Sequence, residues 1–127
     1  MNDKQQALSA FWNGFDWKAY DESTVPDNAL ALNNNRYMTY QSGSDAFDGE
    51  MLLSASTWHR SNSWEASDAQ IEKISKYIET EMPTAIPIKN GLMKIRRGNP
   101  FAQRQSDDNT ELRRYLINYT VEFLTQY

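Results

Sequence analysis

The chain has 127 residues and a formal net charge of −4, with no cysteine and a single histidine, His59. That length suits one domain spanning residues 1–127 around one core. The missing thiols exclude disulfides and thiolate metal sites, and one imidazole excludes His-rich metal centres. Four Trp, seven Tyr and five Phe are too many for a disordered chain, and a mean hydropathy of −0.78 with only short apolar runs leaves no membrane span. The first residues lack the basic-then-apolar layout of a signal peptide, so a soluble intracellular domain is expected.

The first predicted element is a short helix in which Ala7, Leu8, Phe11, Trp12 and Phe15 follow helical spacing and Gly14 stands where a C-terminal cap belongs. From Asp16 to Asn35 the chain is polar and broken by Val25-Pro26-Asp27 and Asn33-Asn34-Asn35. It reads as an extended excursion of the kind that contacts something else. Arg36 to Tyr40 is a strand, Gln41 to Gly49 a loop, and Met51 to Trp58 an alternating strand, together an antiparallel hairpin with a long tip. Ser67 then caps a second helix with Gln70 at the capping-box position; Ile71, Ile74, Ile78 and Met82 form its apolar stripe and Pro83 ends it. Asn90-Gly91 between Ala85–Ile88 and Leu92–Ile95 predicts a tight hairpin, with Pro87 suited to an edge strand. Gly98 to Asp108 reads as a loop. The closing run places Tyr115, Ile117, Tyr119, Val121 and Phe123 on one face at period two. A helical reading is also open, but the β-branched and aromatic content favours a long central strand. The expectation is an α+β fold in the order α-β-β-α-β-β-β: a mostly antiparallel sheet of about five strands with two helices packed on one face.

Charge is distributed unevenly. Residues 1–50 hold three cations against eight acids, whereas residues 82–106 hold Lys89, Lys94, Arg96, Arg97 and Arg104 with no acid. Charge runs are usually solvated faces, but this polarity also fits a molecule whose acidic side meets the basic side of a neighbouring copy. The chemistry of an enzyme finds little footing. His59 has Ser61 and Ser63 near it but no nucleophile elbow, and on an alternating strand it more simply packs beside Thr57. Gly98-Asn99-Pro100-Phe101 is too poor in glycine to cradle a phosphate, Asp107-Asp108 reads as a solvated turn, and Ser44 to Glu50 only loosely echoes a calcium loop. No cofactor or metal is therefore expected. Interleaving of Lys94, Arg96, Arg97, Phe101 and Arg104 raises binding to single-stranded nucleic acid as an alternative, against which stand the overall acidity and the lone aromatic.

Several stretches in order resemble the tail terminator (tail completion) proteins, small neck proteins of long-tailed phages and prophages. They are the Leu8, Phe11, Trp12 and Phe15 helix, Tyr20-Asp21-Glu22 with Val25-Pro26-Asp27, Tyr37-Met38-Thr39-Tyr40, and Trp58-His59-Arg60-Ser61-Asn62-Ser63-Trp64. The Ile-rich helix, Gly91 to Ile95, Arg97-Gly98-Asn99-Pro100-Phe101-Ala102-Gln103 and the strand from Arg114 to Phe123 complete the set. In similar chains a proline precedes the Tyr-x-Thr-Tyr strand; here Asn35-Arg36 does. The resemblance implies a non-enzymatic virion protein, assembled in the host cytoplasm. Its α+β subunits would form a ring, typically a hexamer, that caps the tail tube, ends its growth and meets the head-side connector or stopper protein. Double-stranded DNA would cross the lumen without specific binding, and no membrane is involved. A head-completion (stopper) or connector protein is the alternative within the neck. On this reading the contacts between neighbours fall to Arg96, Arg97, Phe101 and Arg104 on the basic side and Glu22 and Asp27 on the acidic side. Asp45, Asp48 and Glu50, or Asp107 and Asp108, are the candidates to face the lumen, since like charge keeps the duplex centred.

Overall fold

A computed structural model describes residues 3–41, 50–78, 84–89, 91–105 and 111–125. The first amphipathic run forms α1 (Asp3–Trp12), which tightens into a single 3-10 turn over Asn13–Phe15. Then follow β1 (Ala19–Asp21), a one-turn α2 (Ala29–Leu32), β2 (Arg36–Tyr40), β3 (Glu50–Arg60), α3 (Glu65–Tyr77), β4 (Thr84–Ile88), β5 (Gly91–Gln105) and β6 (Leu112–Thr125). The class is α+β. The six strands make one mixed sheet in the order β1-β2-β3-β6-β5-β4, with β1 parallel to β2 and every other pair antiparallel.

This adds a strand and a short helix to the expected count and changes the order of elements. Both additions lie in the polar stretch read as a loop, and side-chain amides explain why they form there. Asn13 presents its side chain as a strand would: Oδ1 accepts from the Ala19 backbone N–H at 2.9 Å and Nδ2 donates to Ala19 O at 3.2 Å. Its Nδ2 also donates to Ser9 O at 2.9 Å, which ties the start of β1 to α1. Asp16, not Gly14, takes the left-handed conformation after the helical turn, with φ 72°.

The two expected hairpins are present. Strand β2 pairs with β3 from Arg36 opposite His59 to Tyr40 opposite Ala55, and β4 pairs with β5 from Thr84 opposite Ile95 to Ile88 opposite Gly91. Pro87 sits on edge strand β4, where a missing backbone donor costs least. The stretch from Gly98 to Gln105, read as loop, instead continues β5. A register shift between Arg97 and Ala102 absorbs the Gly-Asn-Pro-Phe segment as a bulge, with Asn118 Nδ2 donating to Pro100 O at 3.1 Å. The Asn99–Pro100 peptide bond is cis. Gly98 is required there by close approach, because a Cβ on it would lie 2.7 Å from Asn118 Cβ and 2.8 Å from Asn118 C.

Strand β6 is central, flanked by β3 and β5, and its alternation is the period-two one. Ile117, Tyr119, Val121 and Phe123 point into a single core with Met38 and Tyr40 of β2, Leu53 and Ala55 of β3, and Met93 and Ile95 of β5. Helices α1 and α3 cover this inner face: Leu8, Trp12, Ile74 and Ile78 are fully buried in the same cluster, with Ile71 packed against it. Trp12 lies edge-on to Tyr119 at 5.1 Å between centroids. Burial pushes the Tyr119 hydroxyl well above its ordinary value.

The expected cap of α3 is corrected. The helix begins at Glu65, whose N–H is taken by Ser63 Oγ at 3.1 Å. Ser67 and Gln70 therefore fall within its first and second turns, on the buried stripe with Ile74. Gln70 is a core strut, donating to Phe15 O at 2.9 Å. The helix closes at Tyr77, with Ile78 extended, rather than running to Met82.

Candidate functional site

The five cations of the acid-free stretch do not gather on one rim. Alternation along β5 sends Arg96 to the outer face of the sheet and Arg97 to the inner one. On the outer face Arg96 Nε lies 3.6 Å from Glu50 Oε2, so this acid, one of the lumen candidates, opens β3 beside an arginine of its own subunit. Arg97 folds onto the end of α3. Its Nε donates to Ile78 O at 2.8 Å, and its Nη2 donates to Ser75 O and, at 2.7 Å, to Ser75 Oγ. A guanidinium there satisfies carbonyls left open by the helix terminus and opposes the dipole's negative end. Phe101 lies under the same guanidinium, 5.0 Å from ring centroid to Cζ.

Arg104 is held at the other end of α3. It grips Asp68 with Nη2 at 2.8 and 3.1 Å from the two carboxylate oxygens, donates from Nε to Tyr115 OH at 3.1 Å, and lies 4.6 Å over the Trp64 ring. Tyr115 OH also donates to Asp68 Oδ1. That hydroxyl, and then the guanidinium, hold the Asp68 carboxyl below the usual carboxylate range. The basic and aromatic interleaving of Lys94 to Arg104 is thus split between two faces and two ends of a helix. A strand of nucleic acid would not meet it as one track.

The acidic candidates fall into two groups. Glu22 follows β1, its N–H donating to Tyr40 O at 2.9 Å with the side chain exposed, and Asp27 is exposed in the turn before α2. Asp45, Asp48, Asp107 and Asp108 lie outside the described residues.

Two surfaces are built more elaborately than sequence reading anticipates. Across the outer face at one end of the sheet runs a stack drawn from four strands. Tyr20 meets Tyr37 edge-on at 6.0 Å, Tyr37 lies parallel to Trp58 at 6.2 Å, and the Arg114 guanidinium covers Trp58 at 4.4 Å. Trp58 Nε1 donates to Thr39 Oγ1 at 3.0 Å, and burial raises the Tyr37 hydroxyl above its ordinary value. Period-two parity alone would have put Tyr37, Trp58 and Arg114 on the face opposite the core; their register, which the sequence does not state, makes the stack. At the other end of this face Leu52, Leu92 and Leu124 are 71%, 38% and 42% exposed, interleaved with Lys94, Arg96, Glu50 and Glu122.

The second surface is a cleft of about 600 Å³ between the end of β3 and α3, lined by Trp17, Arg36, His59, Ser61, Glu65 and Lys73 among others. His59 packs edge-on to Trp17 at 5.8 Å, and Arg36 lies over the other ring system of that pair at 5.3 Å from the Trp17 centroid. Burial, and then the Arg36 charge, lower the His59 pKa below its usual value and keep the ring neutral at pH 7. Lys73 pairs with Asp16 at 2.7 Å, which holds that carboxyl low. Among the described residues no carboxylate hydrogen-bonds to His59, so nothing there orients it as a nucleophile-activating base would require. Nor do three His, Asp or Glu side chains cluster as metal ligands among the described residues, and no described helix is long and apolar enough to cross a membrane. Compared with known proteins, the chain matches no protein-family model and no curated sequence.

Proposed function

We propose that this chain is a structural ring subunit of the tail-terminator type, whose ring caps the last tier of a phage tail tube, stops its growth and joins the tail to the head-side connector while double-stranded DNA crosses the lumen. The observation that carries the reading is the outer face of the sheet. Both core helices pack on the inner face, and the outer face offers Tyr, Trp and Arg at one end and exposed leucines among paired charges at the other. Tyr, Trp and Arg are enriched at the anchors of protein–protein contacts, and a face that carries them suits a subunit that works by touching neighbours. The ordered likeness of the sequence to tail terminators supports the specific role.

The test is genetic and structural. Particles made without this chain should carry tubes of unregulated length and no attached heads, and the intact chain supplied separately should restore joined particles. Normal, joined tails made in its absence would overturn the reading. A monomer that binds single strands with an affinity falling steeply as salt rises would replace it with the nucleic-acid alternative.

A further inference from the structure

The two edges of the sheet, about 24 Å apart at the usual strand spacing, are complementary. At the β4 edge lies an apolar groove of about 360 Å³ between α1, the end of α3 and β4, floored by Ala7, Phe11, Tyr77, Ile86 and Ile88, with Lys89 at its rim. Tyr77 is 51% exposed, yet its ring is fixed edge-on to both Phe11 and Phe15, so the groove wall is rigid. At the β1 edge α2 carries Leu32, 61% exposed, with the exposed acids Asp27 and Glu22 close by in the chain. Asn33 anchors this one-turn helix, its Nδ2 donating to Tyr20 OH and to Ala29 O at 2.8 Å each.

We propose that Leu32 of one copy docks into the β4-edge groove of the next, with Asp27 and Glu22 facing Lys89. This rests on the ring reading and gives the ring its direction. Knob and groove are at opposite edges, so the contact is heterologous: an open chain keeps one free knob and one free groove, at its two ends, until a ring closes. Apolar fill supplies the affinity and the exposed charges fix the polarity, because a rim ion pair alone contributes little. Pro87 has no N–H to offer a further strand, so the edge is suited to side-chain docking rather than extension of the sheet.

Native mass spectrometry and sedimentation of the full chain, with thermal melts as a control for folding, test the inference. Leu32→Asp should weaken self-association by at least about tenfold while leaving the melt unchanged, since the side chain is exposed in the subunit. Asp27→Lys and Lys89→Asp should each weaken it by about two- to fivefold, and the two together should recover part of the loss, since position 27 regains an opposite partner while Glu22 does not. If wild type forms rings and folded Leu32→Asp forms them equally well, the edge contact is overturned and the ring reading stands. If wild type remains monomeric both alone and with tail tubes, the ring reading fails and takes this inference with it.

Discussion

Replacing Arg97 by Met keeps most of its stem and removes the guanidinium that closes α3. The loss can be sized from its contacts. The Nε bond to Ile78 O and the Nη2 bonds to Ser75 come from a charged donor in a half-buried setting. Taken as two effective bonds they amount to about 2.5 kcal/mol, and the stacking over Phe101 adds about 0.5 kcal/mol, for about 3 kcal/mol in all. Unfolding entropy near 60 °C is about 2.1 cal/mol/K per residue, or roughly 0.27 kcal/mol/K for this length, so Tm should fall by roughly 11 °C. Arg97→Lys keeps the charge but reaches fewer carbonyls, and should lose about half as much. Calorimetry on the isolated chain reads both. A Tm for Arg97→Met within about 2 °C of wild type would refute the claim that this guanidinium closes the helix. The same contacts decide how assembly should be probed: charge reversal at Arg97 would damage the subunit itself, whereas Arg96→Glu on the outer face tests contact with a neighbour.

Ile74 is fully buried between α3 and the sheet, so Ile74→Ala should cost about 2–5 kcal/mol in denaturant titration; an unchanged midpoint would mean that the helix presents another face. Gly98→Ala drives a methyl against the Asn118 backbone of the central strand, which cannot swing aside, and should destabilise the chain by about 1–3 kcal/mol, seen as a lower urea midpoint. Because burial lowers the His59 pKa, the folded state favours the neutral ring. Its contribution to stability is complete above pH 6.5 and is lost as the pH falls below that value toward the folded pKa. Urea midpoints should therefore drop on acidification through this window, and His59→Gln should flatten that part of the profile.

Local patterns carried much of the architecture. Period-two alternation placed Tyr119 and Ile117 in the core, Asn90-Gly91 marked the β4–β5 hairpin, and Pro87 marked an edge. What misled was punctuation whose meaning depends on distant partners. Gly98 and Pro100 look like a loop until Asn118 is known to lie beneath them, where they make a bulge in a continuing strand. Ser67 looks like a cap until Ser63 takes the first-turn donor and leaves Ser67 inside the helix. The Asn13 amide standing in for a strand has no sequence signature, so β1 was invisible. At the candidate site, the charge run 82–106 was legible as composition. Its division between Glu50, the end of α3 and Asp68 was not, since side-chain parity and register decide it.

The middle position of β6 has a consequence for how the molecule is made. Among the described residues the block β1–β2–β3 and the block β4–β5 share no strand pairing, and within the sheet β6 (Leu112–Thr125) joins them. This keystone is synthesised after the other five strands, so the sheet cannot join across its midline until they have all left the ribosome. Until then the long inner edges of β3 and β5 stand open, and these intermediates are the ones prone to pair with the wrong chain. Pairing of β3 with β6 joins segments more than 50 residues apart, a kind of contact that slows folding. Removal of the whole of β6 would leave two incomplete blocks instead of a smaller working domain.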